Sequence, residues 1–418
     1  MITARYNVAA RMQNVSSSAI RDLLKRATEP GMISLAGGLP APDLFDIEGL
    51  SRASAEVMRD IPASALQYGL TAGRPDLRSA LAAMMATRGA TVDAHEILVT
   101  TGSQQGIDLL ARVLLDKGDV VCLERPSYLA AIQTFALAEA AFAGIGVDEN
   151  GMQVDELEAL LVQRKPKLIY TVATFANPSG ATMSLERRRK LLELAVKHRV
   201  FVLEDDPYGE LRSRGAPLPP LITLAREIPG AQDWCGYLST LSKIVSPGLR
   251  IGWLILPPAL RNYCEIAKQG LDLHTSTFTQ AVAARYLESG RLAQRLPQIR
   301  AGYKARNEAL AAALARYLGG ALSYVQPDGG MFLWAKWNDK TIDSAALLDH
   351  AISEKTIFVP GEHFYAGTPE RHTIRLSFAT PSPAELDEGI RRLAVALQKM
   401  RPGTDARVKP GKSRIEIC

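Results

Sequence analysis

Between residues 96 and 256, short and almost unbroken apolar runs alternate with stretches of helical spacing, and this alternation restricts the fold more than any other feature. The runs are Glu96–Thr100, Val120–Leu123, Leu168–Thr174, Val200–Asp205, a segment ending near Leu238, and Ile251–Leu256. They lack the polar-every-second-residue pattern of a half-exposed strand. Strands of that kind are buried on both faces, so helices must lie above and below a mainly parallel sheet. The intervening stretches supply them. Ser103–Leu115 places Ile107, Leu110, Ala111 and Leu114 on one face, and a second helix is expected over Ser184–His198. Beyond a long Ala-rich helix over Tyr303–Leu318 the pattern turns mixed, with strand at Met331–Trp334, helix at Ser344–Ser353 and strand at Thr373–Phe378. That break indicates a smaller α/β domain from about residue 290. Ahead of the sheet, residues 16–28 read as a serine-capped helix ended by Gly31, followed by the turn-rich stretch Ile33–Pro42.

A chain of 418 residues, 47% hydrophobic and 22% charged, can bury a large core in two or three packing units. The net charge of +5 is concentrated at the end: Arg401, Arg407, Lys409, Lys412 and Arg414 face only Asp405 and Glu416. The body is near neutral and the tail reads as a flexible, solvated terminus. Without a basic stripe and a reading element, no nucleic-acid partner is expected. Cys122, Cys235, Cys264 and Cys418 include no Cys-x-x-Cys, and the six histidines show no ligand spacing, so neither a metal nor a disulfide framework is expected. No apolar run reaches membrane-spanning length and no apolar signal core opens the chain. The expectation is a cytoplasmic protein with no membrane partner.

Several motifs follow strands. A lysine after a strand is ordinarily a solvated charge. Lys243, however, follows Thr240 and Ser242 and precedes Pro247-Gly-Leu-Arg250. Two hydroxyls, a guanidinium and an amine in one loop make a phosphate site with an adjacent nucleophile. A partly desolvated amine beside another cation loses proton affinity, as condensation with a carbonyl requires. Glu204-Asp-Asp-Pro-Tyr-Gly-Glu210 ends an apolar strand, where ligands gather in open sheets; it is either an acidic turn or a device that faces Asp205 inward, with Tyr208 three residues on. Thr100-Thr-Gly-Ser-Gln-Gln-Gly106 sits at a strand-to-helix junction whose free amides suit an anion, although Ser103 would serve equally as a helix cap. It matches neither a P-loop nor a Gly-x-Gly-x-x-Gly fingerprint. Asn177-Pro-Ser-Gly180 follows another strand. Arg375 interrupts the apolar run Thr373–Phe378; it either snorkels to an edge or faces a cleft and grips a carboxylate in bidentate fashion.

Taken in order, Ser34-Leu-Ala-Gly-Gly-Leu-Pro40, Gln67-Tyr-Gly69, Thr101-Gly-Ser-Gln-Gln105, Pro126-Ser-Tyr-Leu129, Asn177-Pro-Ser-Gly180, Glu204–Leu211, Leu241-Ser-Lys243, Pro247-Gly-Leu-Arg250, Leu273-His-Thr-Ser276, Gly329–Trp334 and Arg375-Leu-Ser-Phe378 resemble the class I/II aminotransferases of the fold-type I pyridoxal-phosphate superfamily, and most of all their 2-aminoadipate aminotransferase branch. The resemblance covers roughly residues 16–400. It implies an N-terminal arm over 1–44 shared with the small domain and substrate pocket, a large cofactor domain over 45–290, a small domain over 291–400 and a tail over 401–418. By the same resemblance, Lys243 matches the lysine that holds pyridoxal 5′-phosphate as a Schiff base. Asp205 matches the partner of the ring nitrogen, Tyr208 and Asn177 the pair at the ring hydroxyl, and Tyr128 the aromatic stacked on the ring. Ser103, Gln104, Thr240, Ser242 and Arg250 fall at phosphate positions, and Tyr68 at a tyrosine that reaches the phosphate of a neighbouring subunit, which implies a homodimer. Arg375 matches the grip on the substrate α-carboxylate, Gly38 lines the pocket, and Arg21 falls where relatives hold a distal carboxylate or is simply one exposed cation of its helix.

The implied activity is ping-pong transfer of an amino group from an L-amino acid to a 2-oxo acid such as 2-oxoglutarate, with 2-aminoadipate, aliphatic or aromatic amino acids as donors. A decarboxylase, racemase or cyclase of the same fold shares these cofactor motifs. The sensing half of a transcription regulator is not expected, since only about 30 residues precede the first motif and a winged-helix domain needs more.

Overall fold

The computed structural model describes residues 8–13, 23 and 25–400. The helix expected over 16–28, apart from residues 23 and 25–28, and the basic tail lie outside the described residues. At the centre is an eight-stranded sheet: β1 (Ile97–Thr101), β2 (Val120–Arg125), β3 (Ala141–Asp148), β4 (Gly151–Met152), β5 (Leu168–Thr171), β6 (Phe201–Asp205), β7 (Cys235–Thr240) and β8 (Ile251–Ile255). Their spatial order is β1-β8-β7-β6-β5-β2-β3-β4. The run from β7 through β6, β5 and β2 to β3 is parallel. β8 is antiparallel to both its neighbours and β4 closes a short hairpin.

The apolar runs of the sequence are buried on both faces, as their composition requires. Every residue of β6, β7 and β8 is buried. Successive residues feed opposite sides: Val121, Tyr170, Leu203 and Leu238 join one apolar cluster, while Cys122, Ile169, Val202 and Cys235 join another. Helices α1 (Ser103–Leu114), α2 (Leu129–Leu137), α3 (Leu185–His198) and α4 (Pro258–Leu271) belong to this unit. The chain runs outward from β2 to β3 and then returns through β5, β6 and β7 on the other side. Crossovers therefore reverse between β2 and β5, the place where open sheets bind ligands beyond their carboxyl ends.

A second, antiparallel sheet has β9 (Leu322–Tyr324), β10 (Phe332–Trp337), β11 (Val359–Pro360) and β12 (Thr373–Ser377) in the order β9-β10-β12-β11. With it come α5 (Arg291–Leu318), α6 (Ser344–Ser353) and α7 (Pro383–Met400). α5 starts twelve residues before the expected Tyr303 and contains Pro297. Leu292 and Ile299, one heptad apart, are both buried on this added stretch; their packing outweighs the roughly 3 kcal/mol that an internal proline costs. Ile33–Ser34 pairs in parallel with Thr356–Ile357, and Ser377 N–H donates to the Leu35 carbonyl, so the N-terminal arm docks beside this second sheet. No described helix is long and apolar enough to cross a membrane.

Candidate active site

The motifs around Lys243, Glu204–Glu210, Thr100–Gly106 and Asn177 sit at or beyond the carboxyl ends of central strands, while Arg375 lies within β12 of the second sheet. Lys243 closes a single 3₁₀ turn, Leu241–Lys243, directly after β7. The turn is fixed by its own hydroxyls: Thr240 Oγ1 donates to the Ile251 carbonyl at 2.8 Å, accepts from Ser242 N–H at 3.1 Å, and lies 2.8 Å from Ser242 Oγ. Lys243 Nζ donates to the Gly38 carbonyl at 2.9 Å, which joins the N-terminal arm to the large sheet. Burial, reinforced by the nearby Arg375 and Arg250 cations and opposed by Asp205, brings its proton affinity down to about 8. That suits an amine that must be neutral part of the time at physiological pH.

Three consecutive acids stand at the end of β6, two in the strand and Asp206 just after it, and the structure treats them differently. Glu204 lies 3.4 Å from Arg188 Nη1 and accepts from Leu221 N–H at 2.6 Å. Asp206 pairs with Arg88 at 2.7 Å and accepts from Tyr237 Oη at 3.0 Å. Asp205 alone has no cation at ion-pair distance among the described residues. Its Oδ2 accepts from Tyr170 Oη at 2.7 Å, and its Oδ1 is buried without a partner among the described residues. Burial pushes the Asp205 carboxyl up to about 7, against the Tyr170 hydrogen bond. An orphaned buried acceptor on a group of this kind calls for a protonated nitrogen.

The opposite imbalance is found on β12. Arg375 is 2% exposed and has no carboxylate partner among the described residues. Its Nη1 donates to Asn177 Oδ1 at 2.8 Å and its Nη2 to the Ala36 carbonyl at 2.6 Å, while Nε is buried and unpaired. Phe332 and Phe364 lie against the guanidinium, with ring centroids at 4.2 and 4.8 Å. Burial lowers its proton affinity, to about 10, yet it stays charged at neutral pH. The strand position therefore resolves to the buried alternative, not to a snorkelling edge residue. Gly38 matters here, since an added Cβ would stand 2.8 Å from Phe332 Cζ, the ring beneath Arg375.

Asn177 follows β5 and is joined to Pro178 by a cis peptide bond. Beside accepting from Arg375 it hydrogen-bonds Tyr208, whose phenol is held neutral chiefly by burial. The Tyr208 ring meets Phe332 edge-on at 5.9 Å. Tyr128 precedes α2 and is partly buried against the main core.

The junction of β1 and α1 differs in one respect from the sequence reading. Ser103 is the first residue of the helix, not its cap. Gly102 takes the capping position at φ 75° and ψ 167°, and no side chain satisfies the helix amides. An uncapped helix start leaves N–H groups and the positive dipole end for an anion. Arg250, itself at φ 55°, lays its guanidinium against Gly102 where any Cβ would collide, and Nη2 donates to the Thr101 carbonyl at 3.2 Å. Gln104 is exposed and its amide donates to Thr134 Oγ1 at 2.6 Å.

Lys243, Asp205, Tyr208, Asn177, Arg375 and Gly38 are thus linked by direct contacts or mutual electrostatics, and Ser103, Thr240, Ser242 and Arg250 gather at one edge of them. Tyr68 is not brought in. It is 78% exposed, and its ring meets the His274 ring edge-on at 5.7 Å. Arg21 lies outside the described residues. Tyr170, Phe332, Phe364 and the Ala36 carbonyl were not foreseen. The pairing of Tyr170 with Leu203 in the β5–β6 register puts Tyr170 on the face that carries Asp205, and only the register reveals it. A cavity of about 870 Å³ lined by Lys165, His198 and Trp234 lies at the amino ends of β5, β6 and β7, away from these groups.

The donor set fits pyridoxal 5′-phosphate. There is an unpartnered carboxylate oxygen for a ring N–H, an uncapped helix with a neighbouring guanidinium for a phosphate, an Asn–Tyr pair for a ring hydroxyl and an amine of lowered proton affinity for the aldehyde. Comparison with known proteins agrees. The family model described as aminotransferase class I and II matches residues 46–393. Aromatic-amino-acid aminotransferase 1 of Thermococcus litoralis is 41% identical over 391 residues, 92% of each chain. The crystal structure of the kynurenine aminotransferase of Pyrococcus horikoshii, solved with PMP, shares 40% identity at a TM-score of 0.89, over 95% of this chain and 98% of its own. The alpha-aminoadipate aminotransferase of Thermus thermophilus, complexed with N-(5′-phosphopyridoxyl)-L-leucine, shares 37% identity at a TM-score of 0.88, over 94% and 98%. This chain accordingly belongs to the aminotransferase class I and II family, and is a fold-type I aminotransferase whose cofactor is pyridoxal 5′-phosphate.

Proposed function

We propose that the enzyme transfers the amino group of an L-amino acid to a 2-oxo acid, 2-oxoglutarate foremost, at the site built around Lys243. The observation that carries the reading is a pair of unmatched buried charges, the Asp205 carboxylate without a cation and the Arg375 guanidinium without a carboxylate, both felt by Lys243. In this reading each is completed by a ligand.

Pyridoxal phosphate, when bound, supplies the electron sink that makes the substrate Cα–H acidic. Asp205 keeps the ring nitrogen protonated, and Tyr170 holds that carboxylate in place. Tyr208 and Asn177 hydrogen-bond the ring hydroxyl and Tyr128 stacks on the ring face. Ser103, Gln104, Thr240, Ser242 and Arg250 bind the phosphate. Arg375 and Asn177 receive the substrate α-carboxylate, under the Gly38 segment. Lys243 would serve as the base that takes the substrate Cα proton and, as its ammonium, as the acid that returns it.

Residues 45–290 form the cofactor domain and 291–400 the small domain, which the arm over 1–44 joins through its pairing with Thr356–Ile357. Tyr68 reaches the phosphate of a second copy. Its exposure, shared by Leu66 and Leu70, supports a homodimer, because a monomer would leave this apolar strip in water. Three buried free thiols, Cys122, Cys235 and Cys264, support a reducing compartment, the cytoplasm. The names of the relatives support donors of the aromatic or 2-aminoadipate type, and the leucine adduct of one supports aliphatic donors, with Arg21 a candidate for a distal carboxylate.

The test is a half-reaction. The loaded enzyme, given single L-amino acids, should convert its cofactor to pyridoxamine phosphate with one equivalent of 2-oxo acid, and 2-oxoglutarate should reverse the change. Turnover with the cofactor unchanged would sink the reading. Lys243→Ala should lose both the absorbance of lysine-bound cofactor and turnover; an active variant would refute the role of Lys243.

A further inference from the structure

Behind the turn assigned to the phosphate lies a polar cluster, built around a buried lysine, that the proposed reaction does not use. Lys268 on α4 is 0% exposed. Its Nζ donates to Asp272 Oδ1 at 2.7 Å, Gln105 Oε1 at 3.0 Å and Thr275 Oγ1 at 3.2 Å, one acceptor for each of its three N–H bonds. Gln105 Oε1 also accepts from Thr101 N–H at 2.8 Å. Gln105 Nε2 and Thr101 Oγ1 both donate to Asp272 Oδ2 at 2.8 Å, and the Thr101 and Thr275 hydroxyls lie 3.0 Å apart.

The cluster ends on Thr101. The N–H of this residue is fixed by Gln105, and its carbonyl accepts from Arg250 Nη2. The next residue is Gly102, the capping position of the uncapped helix. Lys268, Gln105, Thr101 and Arg250 therefore form one chain of hydrogen bonds that runs from the interior of α4 to the guanidinium at the mouth of the site. Burial lowers the proton affinity of Lys268 against the pull of Asp272. An i,i+4 ion pair could have been left at the surface at no such cost, and an apolar side chain could fill the same space. Since Lys268 and Asp272 neutralise one another, what the pair supplies is geometry, not field.

We propose that Lys268 is a positioning residue for the cofactor phosphate, holding the Gly102 turn and Arg250 in place through Gln105 and Thr101. The proposal rests on the assignment of Arg250 and the α1 start to the phosphate.

It is tested on the full-length chain freed of cofactor, titrated by absorbance with pyridoxal 5′-phosphate and, separately, with pyridoxal. Lys268→Met should weaken binding of the phosphorylated form about tenfold and leave pyridoxal within about twofold, the size of effect expected from misplacing charge-assisted hydrogen bonds. Equal losses for both ligands would mean general destabilisation and overturn the proposal; no loss for either would overturn it as well. Arg250→Met separates the two layers. If it leaves the ratio of the affinities unchanged, the phosphate assignment itself fails. If it lowers the ratio while Lys268→Met does not, only the positioning role fails. Should Lys268→Met not fold, Asp272→Asn, which breaks the same ion pair with little change of shape, is read in the same way.

Discussion

Asp205→Asn should stabilise the cofactor-free protein while destroying the enzyme, and the gain should grow with pH. The carboxyl rises from its ordinary 3.8 to about 7 because it is buried with one oxygen unpartnered. The native state thus holds the proton more tightly than the unfolded chain. Stability conferred by the protonated form is lost as pH climbs from about 4 to about 7, and the loss persists above that. At roughly 1.4 kcal/mol per pH unit, the native state carries a penalty of about 4 kcal/mol at pH 8 and roughly 1–2 kcal/mol at pH 5. Asparagine removes the titration and keeps an acceptor for Tyr170, but leaves a buried amide N–H unpaired at roughly 1–3 kcal/mol. The net gain is about 1–3 kcal/mol at pH 8 and near zero or negative at pH 5. With an unfolding entropy of about 2 cal/mol/K per residue, a chain of this length gains about 1–4 °C in Tm at pH 8. Differential scanning calorimetry of both cofactor-free proteins at the two pH values measures it. A Tm difference that is the same at pH 5 and pH 8 would refute the claim that an ionised, unmatched Asp205 strains the empty site.

Other outcomes follow from the same geometry. Arg375→Met removes the unpaired buried cation and should lower kcat/KM for amino acids about a hundred- to thousandfold, as loss of a bidentate charged contact implies, with the cofactor still bound; normal kcat/KM would contradict the carboxylate role. Tyr170→Phe deletes the donor that lowers the Asp205 proton affinity, so the acidic limb of the kcat/KM profile should move up by about one pH unit, and an unmoved limb would exclude that coupling. Gly102→Ala forces a Cβ into the Arg250 guanidinium at a positive φ and should weaken pyridoxal phosphate binding at least about tenfold; unchanged binding in a titration would show that the turn is not part of the phosphate site.

The unbroken apolar runs made the central sheet legible because burial on both faces leaves a strand no choice of composition. Ala141–Asp148 escaped notice because Ala-Phe-Ala-Gly-Ile-Gly-Val-Asp has too few β-branched residues to read as a strand; its neighbour β2 recruits it. The first turns of α5 are not legible because a proline outranks periodicity in a sequence, whereas in the folded chain the burial of Leu292 and Ile299 decides. At the site, Lys243, Asp205, Asn177 and Arg375 were found because each interrupts an apolar strand or directly follows one. Tyr170 was not, since a tyrosine in an apolar strand looks like core until the register sets it on the face of Asp205. The cage around Lys268 was equally hidden. Its members come from β1, α1, α4 and the turn after α4, and no spacing in the sequence relates them.

The docking of the N-terminal arm has a consequence for synthesis. Ile33 and Ser34 find their partners in Thr356 and Ile357, and Ala36 waits for Arg375. At a translation rate of roughly 5–20 residues per second, the arm leaves the ribosome roughly 15–65 s before the residues it will touch. During that interval Leu35 and Ala36, fully enclosed in the finished protein, have nothing native to cover them. The large sheet can assemble meanwhile, but the carbonyl that receives the Lys243 ammonium belongs to the arm. A nascent chain truncated before residue 356 therefore carries the lysine without its lid, and a segment made early is among the last to reach its place.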